Sequence, residues 1–219
     1  MPLLSAAFPD IGFAATGSLT PADLIEDRVQ VCASLVDVAL AYPKPLASGW
    51  LPLDRERSAS LGAVIQAKRS ADRVAALAWQ PTDSPAGGLE AFAPLFDIAG
   101  LSWVALPMGA IKSPLAQFLS SADCPLIFEP SWTRDGLKSV AGLIGAVDLV
   151  FSNEDLAAAL AGALGTPAWK MAGAGAHWSW GADGATSKWH PNVRTMRTTQ
   201  GIEPVVAAIR AELEQIAGG

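Results

Sequence analysis

Residues 135–171 read DGLKSVAGLIGAVDLVFSNEDLAAALAGALGTPAWKM, and the period of their apolar residues changes repeatedly. GLKSVAGLIGAVD has helical spacing, and LVF at 149–151 is a short all-apolar strand. A second helix then opens on Ser, Asn, Glu and Asp, ends on Gly165, and gives way to strand-like PAWKM. This alternation is typical of a parallel sheet covered by helices. The apolar run at 149–151 further predicts a strand in the interior of the sheet, buried on both faces.

The step from strand to helix at 151–156 is the first candidate for a binding site. It feeds a strand into a helix N-terminus at the edge where parallel strands end, and free backbone N–H groups there can hold a diphosphate. Glu154 and Asp155 place two carboxylates where the phosphates would sit. The alternative is an ordinary N-cap at Ser152 or Asn153, with the acidic residues complementing the helix dipole.

The same patterns extend along the chain from residue 53 to residue 219, and they predict one doubly wound α/β domain with a parallel sheet. Residues 1–52 are either part of that domain or the remnant of a first half, with 29–42 a strand or a buried helix. Asp54 is a candidate N-cap for a helix over 55–69. Strands are expected near Val74–Trp79, Trp103–Leu106, Leu126–Phe128, Leu149–Ser152 and Ala168–Met171. Helices are expected over 89–100, 113–123, 135–147, 153–164 and 202–217, with a tryptophan-rich loop at 172–192 and an extended segment at 192–197.

Composition narrows the class of protein. Of 219 residues, 51% are hydrophobic and 16% are charged, which is typical of a globular chain with a large core. A net charge of −6 without any basic run argues against nucleic acid as a partner. No apolar run is long enough to span a bilayer, and the start lacks the basic region of a signal peptide, so we expect a cytoplasmic protein. Cys32 and Cys124 have no metal-ligand spacing, and we expect free thiols and no metal site.

Two tryptophan-containing elements follow the opening stretch: Trp178-Ser179-Trp180 and Ser187-Lys188-Trp189-His190-Pro191. With residues 135–171 they resemble the C-terminal, nucleotide-sugar-binding half of bacterial GT-B glycosyltransferases. The similar group is often fused to tetratricopeptide repeats and is related to lipopolysaccharide heptosyltransferases and O-GlcNAc transferases. The resemblance also covers LPLD at 51–54, VAALAW at 74–79 and GLSWVALPMG at 100–109.

The resemblance implies a Rossmann-like half of a GT-B fold that binds a nucleotide-diphosphate sugar as its donor substrate, with no separate cofactor. A protein-modifying transferase, for example of the flagellin type, or a lipopolysaccharide transferase would fit. Because a GT-B active site is a cleft between two domains, another domain or a partner protein would complete it. The implied donor-binding residues are Trp79, Gln80, Met108, Gly109, Lys112, Ser152, Asn153, Glu154, Met171 and Trp180.

The histidine and the tryptophans of the loop each have two interpretations. His177 is the candidate catalytic base, since histidine exchanges protons near neutral pH, and the alternative is that it packs against tryptophan in the loop. Trp178 and Trp180 would either stack on a sugar or a base, or anchor the long loop onto the domain.

The departures from the family pattern support a second hypothesis about function. The family helix usually begins Val-Asp-Thr and carries a histidine one turn later, whereas this chain has 153–155 as Asn-Glu-Asp and Ala159. The loop at 80–88 has no basic residue. The domain is therefore either the donor-binding half of a transferase or a catalytically inactive module for binding or regulation. In both cases we expect no sugar transfer by the isolated chain. The absence of GxGxxG and GxxxxGK[ST] argues against dinucleotide-binding and P-loop domains.

Overall fold

The computed structural model describes residues 2–11, 48–79, 89–108, 118–119, 121, 123–173, 176–180, 185–187 and 189–217. The helices are α1 Pro2–Ala7, α2 Arg55–Lys68, α3 Ala93–Phe96, α4 Leu137–Ile144, α5 Asp155–Leu164 and α6 Glu203–Ala217. The strands are β1 Arg73–Ala78, β2 Leu101–Ala105, β3 Leu126–Ile127, β4 Leu149–Ser152, β5 Ala168–Ala172 and β6 Val193–Arg197. Short 3-10 turns lie at Leu89–Phe92, Pro130–Thr133 and Trp178–Trp180.

The strands form one parallel sheet in the order β3-β2-β1-β4-β5-β6. The predicted fold class, an α/β doubly wound parallel sheet, is confirmed. β4 lies between β1 and β5, with Val150 and Phe151 fully buried, as the apolar run at 149–151 predicted. The extended segment at 192–197 is a sixth strand at the sheet's edge. Its residues alternate between buried and half-buried, which leaves a weaker sequence signal than a continuous apolar run.

Helices cover both faces of this sheet. On one face α2, α4 and α5 pack over a core that includes Ile65 and Leu143. On the other, α3 and α6 pack over a core that includes Leu95 and Ile209. Residues alternate between the faces along each strand, so Trp169 and Met171 of β5 belong to the second core, on the α6 side. Lys170, between them, therefore points to the α5 side.

Local signals set most helix ends. The Asp54 carboxylate accepts a hydrogen bond from the Arg57 N–H at 3.0 Å, which confirms the predicted N-cap of α2. At the C-terminal end of α5, Gly165 adopts a left-handed φ of 84°, and its N–H donates to carbonyls of the last turn of the helix. The helix predicted over 89–100 is instead a 3-10 turn followed by the single turn of α3. The segments 29–42 and 113–117 lie outside the described residues.

The described residues Trp50 and Leu51, shortly before α2, join the core on the α5 side. Leu51 is buried, and its N–H donates to the Ala163 carbonyl at 2.9 Å. The boundary between 1–52 and 53–219 stays a prediction. Cys124 is a half-buried free thiol, and Cys32 lies outside the described residues. None of the described helices combines the length and apolar character needed to cross a membrane.

Candidate functional site

The order of the strands places a crevice between β1 and β4. The chain winds from β1 towards β2 and β3 on one side, and from β4 towards β5 and β6 on the other. Ligands of doubly wound proteins bind at this kind of switch point, beyond the carboxyl ends of the strands. Ala78 and Ser152 end the two strands as register partners, and the Asn153 N–H donates to the Ala78 carbonyl at 3.3 Å. We call this region, as far as Asp155 at the start of α5, the carboxyl edge.

Side chains of the protein itself form hydrogen bonds with backbone groups at the start of α5. The Glu154 carboxylate caps the helix by accepting from the Ala157 N–H at 2.7 Å. The fully buried Ser152 hydroxyl donates to the Glu154 carbonyl at 2.6 Å and accepts from the Glu154 N–H at 2.9 Å. The alternative N-cap at Ser152 or Asn153 is therefore wrong, because this tight turn moves the cap on to Glu154. The N–H groups of Asn153, Glu154 and Ala157, three of the donors that a diphosphate could use here, already have protein acceptors.

A buried lysine, Lys170, contacts this turn. Lys170 is 3% exposed, and its ammonium group donates to the Asn153 carbonyl at 2.6 Å and the Met171 carbonyl at 2.8 Å. It also forms an ion pair with the Asp155 carboxylate at 3.1 Å. Burial lowers the pKa of Lys170 below its ordinary value, while Asp155 and then Glu154 oppose that shift. All three ammonium protons thus have acceptors within the protein.

Lys170 was missed by the sequence reasoning, which treated AWKM only as a strand. The sequence did contain a signal, because Lys170 is the one charged residue of β5, a strand in which every residue is buried. Lysine is seldom fully buried without a partner, so a lysine in an interior strand indicates a specific acceptor nearby. Asp155 is such an acceptor, and it follows the strand that pairs with β5.

The tryptophan-rich loop is fixed by Trp180. This side chain is 1% exposed, and its ring stacks on that of His190 with centroids 5.6 Å apart. The Arg197 guanidinium donates to the Trp180 carbonyl at 2.9 Å, and the Lys170 ammonium lies 5.9 Å from the centre of the indole. The Ser187 hydroxyl donates to the Ser179 carbonyl at 2.9 Å and links two positions within the loop. These contacts fit the anchoring interpretation of Trp180.

His177 lies at the start of this loop and is exposed. Its Nδ1 is 2.8 Å from the Ser179 hydroxyl, a contact within its own 3-10 turn. His190 is half-buried, and burial lowers the pKa of its imidazole. The role of His177 as catalytic base stays a prediction.

The other predicted donor-binding residues fall into three groups. Trp79 and Met171 are buried in the core on the α6 side of the sheet. Met108 is half-buried against the core on the α5 side. Gln80, Gly109 and Lys112 lie outside the described residues, so their assignment, like the others, stays a prediction. Over the described part of the chain, no three His, Cys, Asp or Glu side chains gather closely enough to hold a metal ion.

The fold is similar to that of a solved protein described as the glycosyl transferase family 9 from Veillonella parvula DSM 2008. The two superimpose with a TM-score of 0.51 and 11% sequence identity. The match covers 72% of this chain and 44% of that chain, so this chain spans less than half of its length. At this identity the likeness shows the fold alone. No family model matches this sequence, and no curated protein matches it.

Proposed function

We propose that this chain is a glycosyltransferase-like domain whose carboxyl edge no longer takes a nucleotide-sugar donor, and that it acts as a binding or regulatory module. The observation that carries this is the Glu154 carboxylate at the Ala157 N–H, in the place where a diphosphate would bind. The fold and the switch point between β1 and β4 support descent from a transferase.

Electrostatics decides between a working and a closed diphosphate site. A nucleotide diphosphate brings two to three negative charges, and such sites use backbone N–H groups together with arginine, lysine or a metal. Two like charges about 4 Å apart near a protein surface repel by roughly 4 kcal/mol. A helix N-terminus attracts an anion by only about 0.3–1 kcal/mol. Repulsion by Glu154 therefore outweighs the helix, while Asp155 and the nearby Lys170 neutralise each other.

The second candidate is the donor-binding half of a glycosyltransferase that another domain or a partner protein completes. It is favoured by the likeness to a family 9 transferase more than twice as long as the matched region. In this case binding would move Glu154 aside and release Lys170 from Asp155. His177 would be the base, reaching the crevice from its exposed position on the loop.

A ligand screen separates the two candidates. Unfolding temperature is measured with UDP-, GDP-, CMP- and ADP-sugars, because a ligand at about 100 times its dissociation constant adds about 2.7 kcal/mol of stability. We expect no shift with any donor. Labelled donors are then tested for transfer to protein and glycan acceptors, where we expect no product because one domain leaves the reactive carbon open to water. Transfer by the chain alone that is lost in His177→Ala would contradict the proposal and make His177 the catalytic base.

A further inference from the structure

A groove of about 690 Å³ lies on the flank of α5, away from the carboxyl edge's polar groups. α4, α5, α1 and the segment before α2 form its walls. Eight of the described residues that line it are apolar, and three are polar and stand at its rim or floor. The apolar ones are Leu4, Trp50, Leu51, Leu137, Leu156, Ala159, Leu160 and Ala163, and the polar ones are Asp135, Lys138 and His190.

The exposed apolar surface of the described chain is concentrated at this groove. The exposed large hydrophobic side chains of the described chain are Leu4, Phe8, Ile11, Leu137 and Leu156. Three of these line the groove, and Leu137 and Leu156 are 44% and 46% exposed at the first turns of α4 and α5. Phe8 packs on Trp50, another lining residue, with ring centroids 5.5 Å apart. Exposed apolar side chains gathered in one concave place mark a binding surface, unlike scattered ones.

The polar groups of the groove define the ligand's chemistry. Trp50 Nε1 and His190 Nδ1 are both buried without a hydrogen-bond partner, which is uncommon in a folded protein. At the rim the Asp135 carboxylate is already paired with the Arg57 guanidinium. Lys138 is exposed and forms no ion pair with any described residue. Among the described residues, the groove thus offers an apolar surface and, at Lys138, a positive charge without an ion pair.

We propose that this groove binds a free long-chain fatty acid. The acyl chain lies along the leucines and alanines of α5, and the carboxylate meets the Lys138 ammonium at the rim. The volume falls within the range of about 300–1,000 Å³ that is usual for small-molecule sites. Lys138, which forms no ion pair with a described residue, complements a head group with one negative charge. The proposal does not depend on the state of the carboxyl edge.

A small ligand suits this surface better than a second protein does. Protein interfaces use about 20–30 residues from each side. The groove is concave and is lined by far fewer described residues, and its exposed leucines Leu137 and Leu156 come from the neighbouring helices α4 and α5. An acyl chain buries apolar surface along its whole length in such a space.

The test is a fluorescence titration of the whole chain with cis-parinaric acid, followed by displacement with palmitate. We expect saturable binding with a micromolar dissociation constant, and weaker binding of hexadecanol and of dodecylamine. Leu156→Glu, which replaces exposed apolar surface with a like charge, should weaken binding about tenfold or more. Lys138→Met should weaken it about two- to fivefold. Ile11→Glu is the matched control, since Ile11 is exposed outside the groove lining, and it should leave binding unchanged.

Four results would overturn the proposal. The first is an absence of saturable binding, and the second is equal weakening by Leu156→Glu and Ile11→Glu. The third is binding to phospholipid vesicles without binding of monomeric fatty acid, which would indicate a bilayer surface. The fourth is a dimer in sedimentation that Leu156→Glu dissociates, which would indicate a second copy of the chain in the groove. Leu156 and Lys138 are both exposed, so the variants should fold, and circular dichroism verifies this.

Discussion

The carboxyl edge and the flank groove lie on the same helix, α5, and they differ in how their binding groups are used. At the edge, the N–H groups of Glu154 and Ala157 and all three ammonium protons of Lys170 have acceptors within the chain. In the groove, leucines are exposed and two ring nitrogens are buried without partners. Where this fold usually binds ligands, these polar groups are bonded to other groups of the chain. On the flank of α5, by contrast, apolar side chains are exposed.

The two regions are connected by a stack of side chains. The Lys170 ammonium lies 5.9 Å from the ring of Trp180, Trp180 stacks on His190, and His190 lines the groove. Lys170 at the edge is thus linked through Trp180 to His190, which lines the groove. Substitutions along this stack, and at each end of it, separate the contribution of the carboxyl edge to the stability of the protein from that of the groove.

The largest expected effect on stability comes from a substitution at the carboxyl edge. Lys170→Met removes the ammonium group from two buried carbonyls and from Asp155, and it should cost about 2–3 kcal/mol of stability. Leu156→Ala, at an exposed position of the groove, should cost less than about 1 kcal/mol. Urea denaturation of both variants measures the difference. Equal losses would mean that the two regions are not distinguished by their internal contacts.

The next effect tests the stack between the regions. A Cβ added at Gly162 would lie 2.5 Å from His190 Nδ1 and 2.7 Å from its Cβ, and the ring cannot retreat without leaving Trp180. Gly162→Ala should therefore cost about 1–3 kcal/mol despite alanine's higher helix propensity. Gly62→Ala, where the nearest atom would be 3.5 Å away, is the matched control and should be neutral or slightly stabilising. An equally tolerated Gly162→Ala would show that His190 is loosely held.

The smallest effect is a pH dependence at His190. Burial lowers the pKa of this imidazole in the folded state below its ordinary value of 6.5. Between the two pKa values the unfolded chain binds more protons, so stability is lost as the pH falls below about 6.5. His190→Phe keeps an aromatic ring on Trp180 and should reduce this loss by about 1 kcal/mol or less. Unfolding curves between pH 5 and 7.5 would show this as a flatter slope for the variant, and identical slopes would contradict it.

The fold was predictable because its signals are local and repeated. The apolar run at 149–151, the cap at Asp54 and Gly165 at the end of α5 each specify an element or a boundary, and the structure confirms them. β6 was recognised only as an extended segment, since an edge strand lacks a continuous apolar run. The resemblance to GT-B glycosyltransferases agrees with the structure at the level of the fold.

The state of the site was less predictable because it depends on contacts between distant residues. Glu154 and Asp155 were identified as an obstacle to phosphate, but their acceptor roles depend on Ala157 and on Lys170, which comes from another strand. Periodicity places Lys170 on a strand and does not reveal its partners. The groove is assembled from five separate segments that only the fold brings together.

The most direct measurement is a calorimetric titration of UDP-, GDP-, CMP- and ADP-sugars into the wild type and into the Glu154→Asn/Asp155→Asn double variant. Closure of the α5 N-terminus by these carboxylates predicts no binding or millimolar binding by the wild type. In the double variant asparagine still caps the helix, the repulsion is gone and the Lys170 charge has lost its carboxylate partner, so binding should strengthen about tenfold or more. Adding Lys170→Met should abolish that gain. Micromolar binding by the wild type, or equally weak binding by both proteins, would contradict the account.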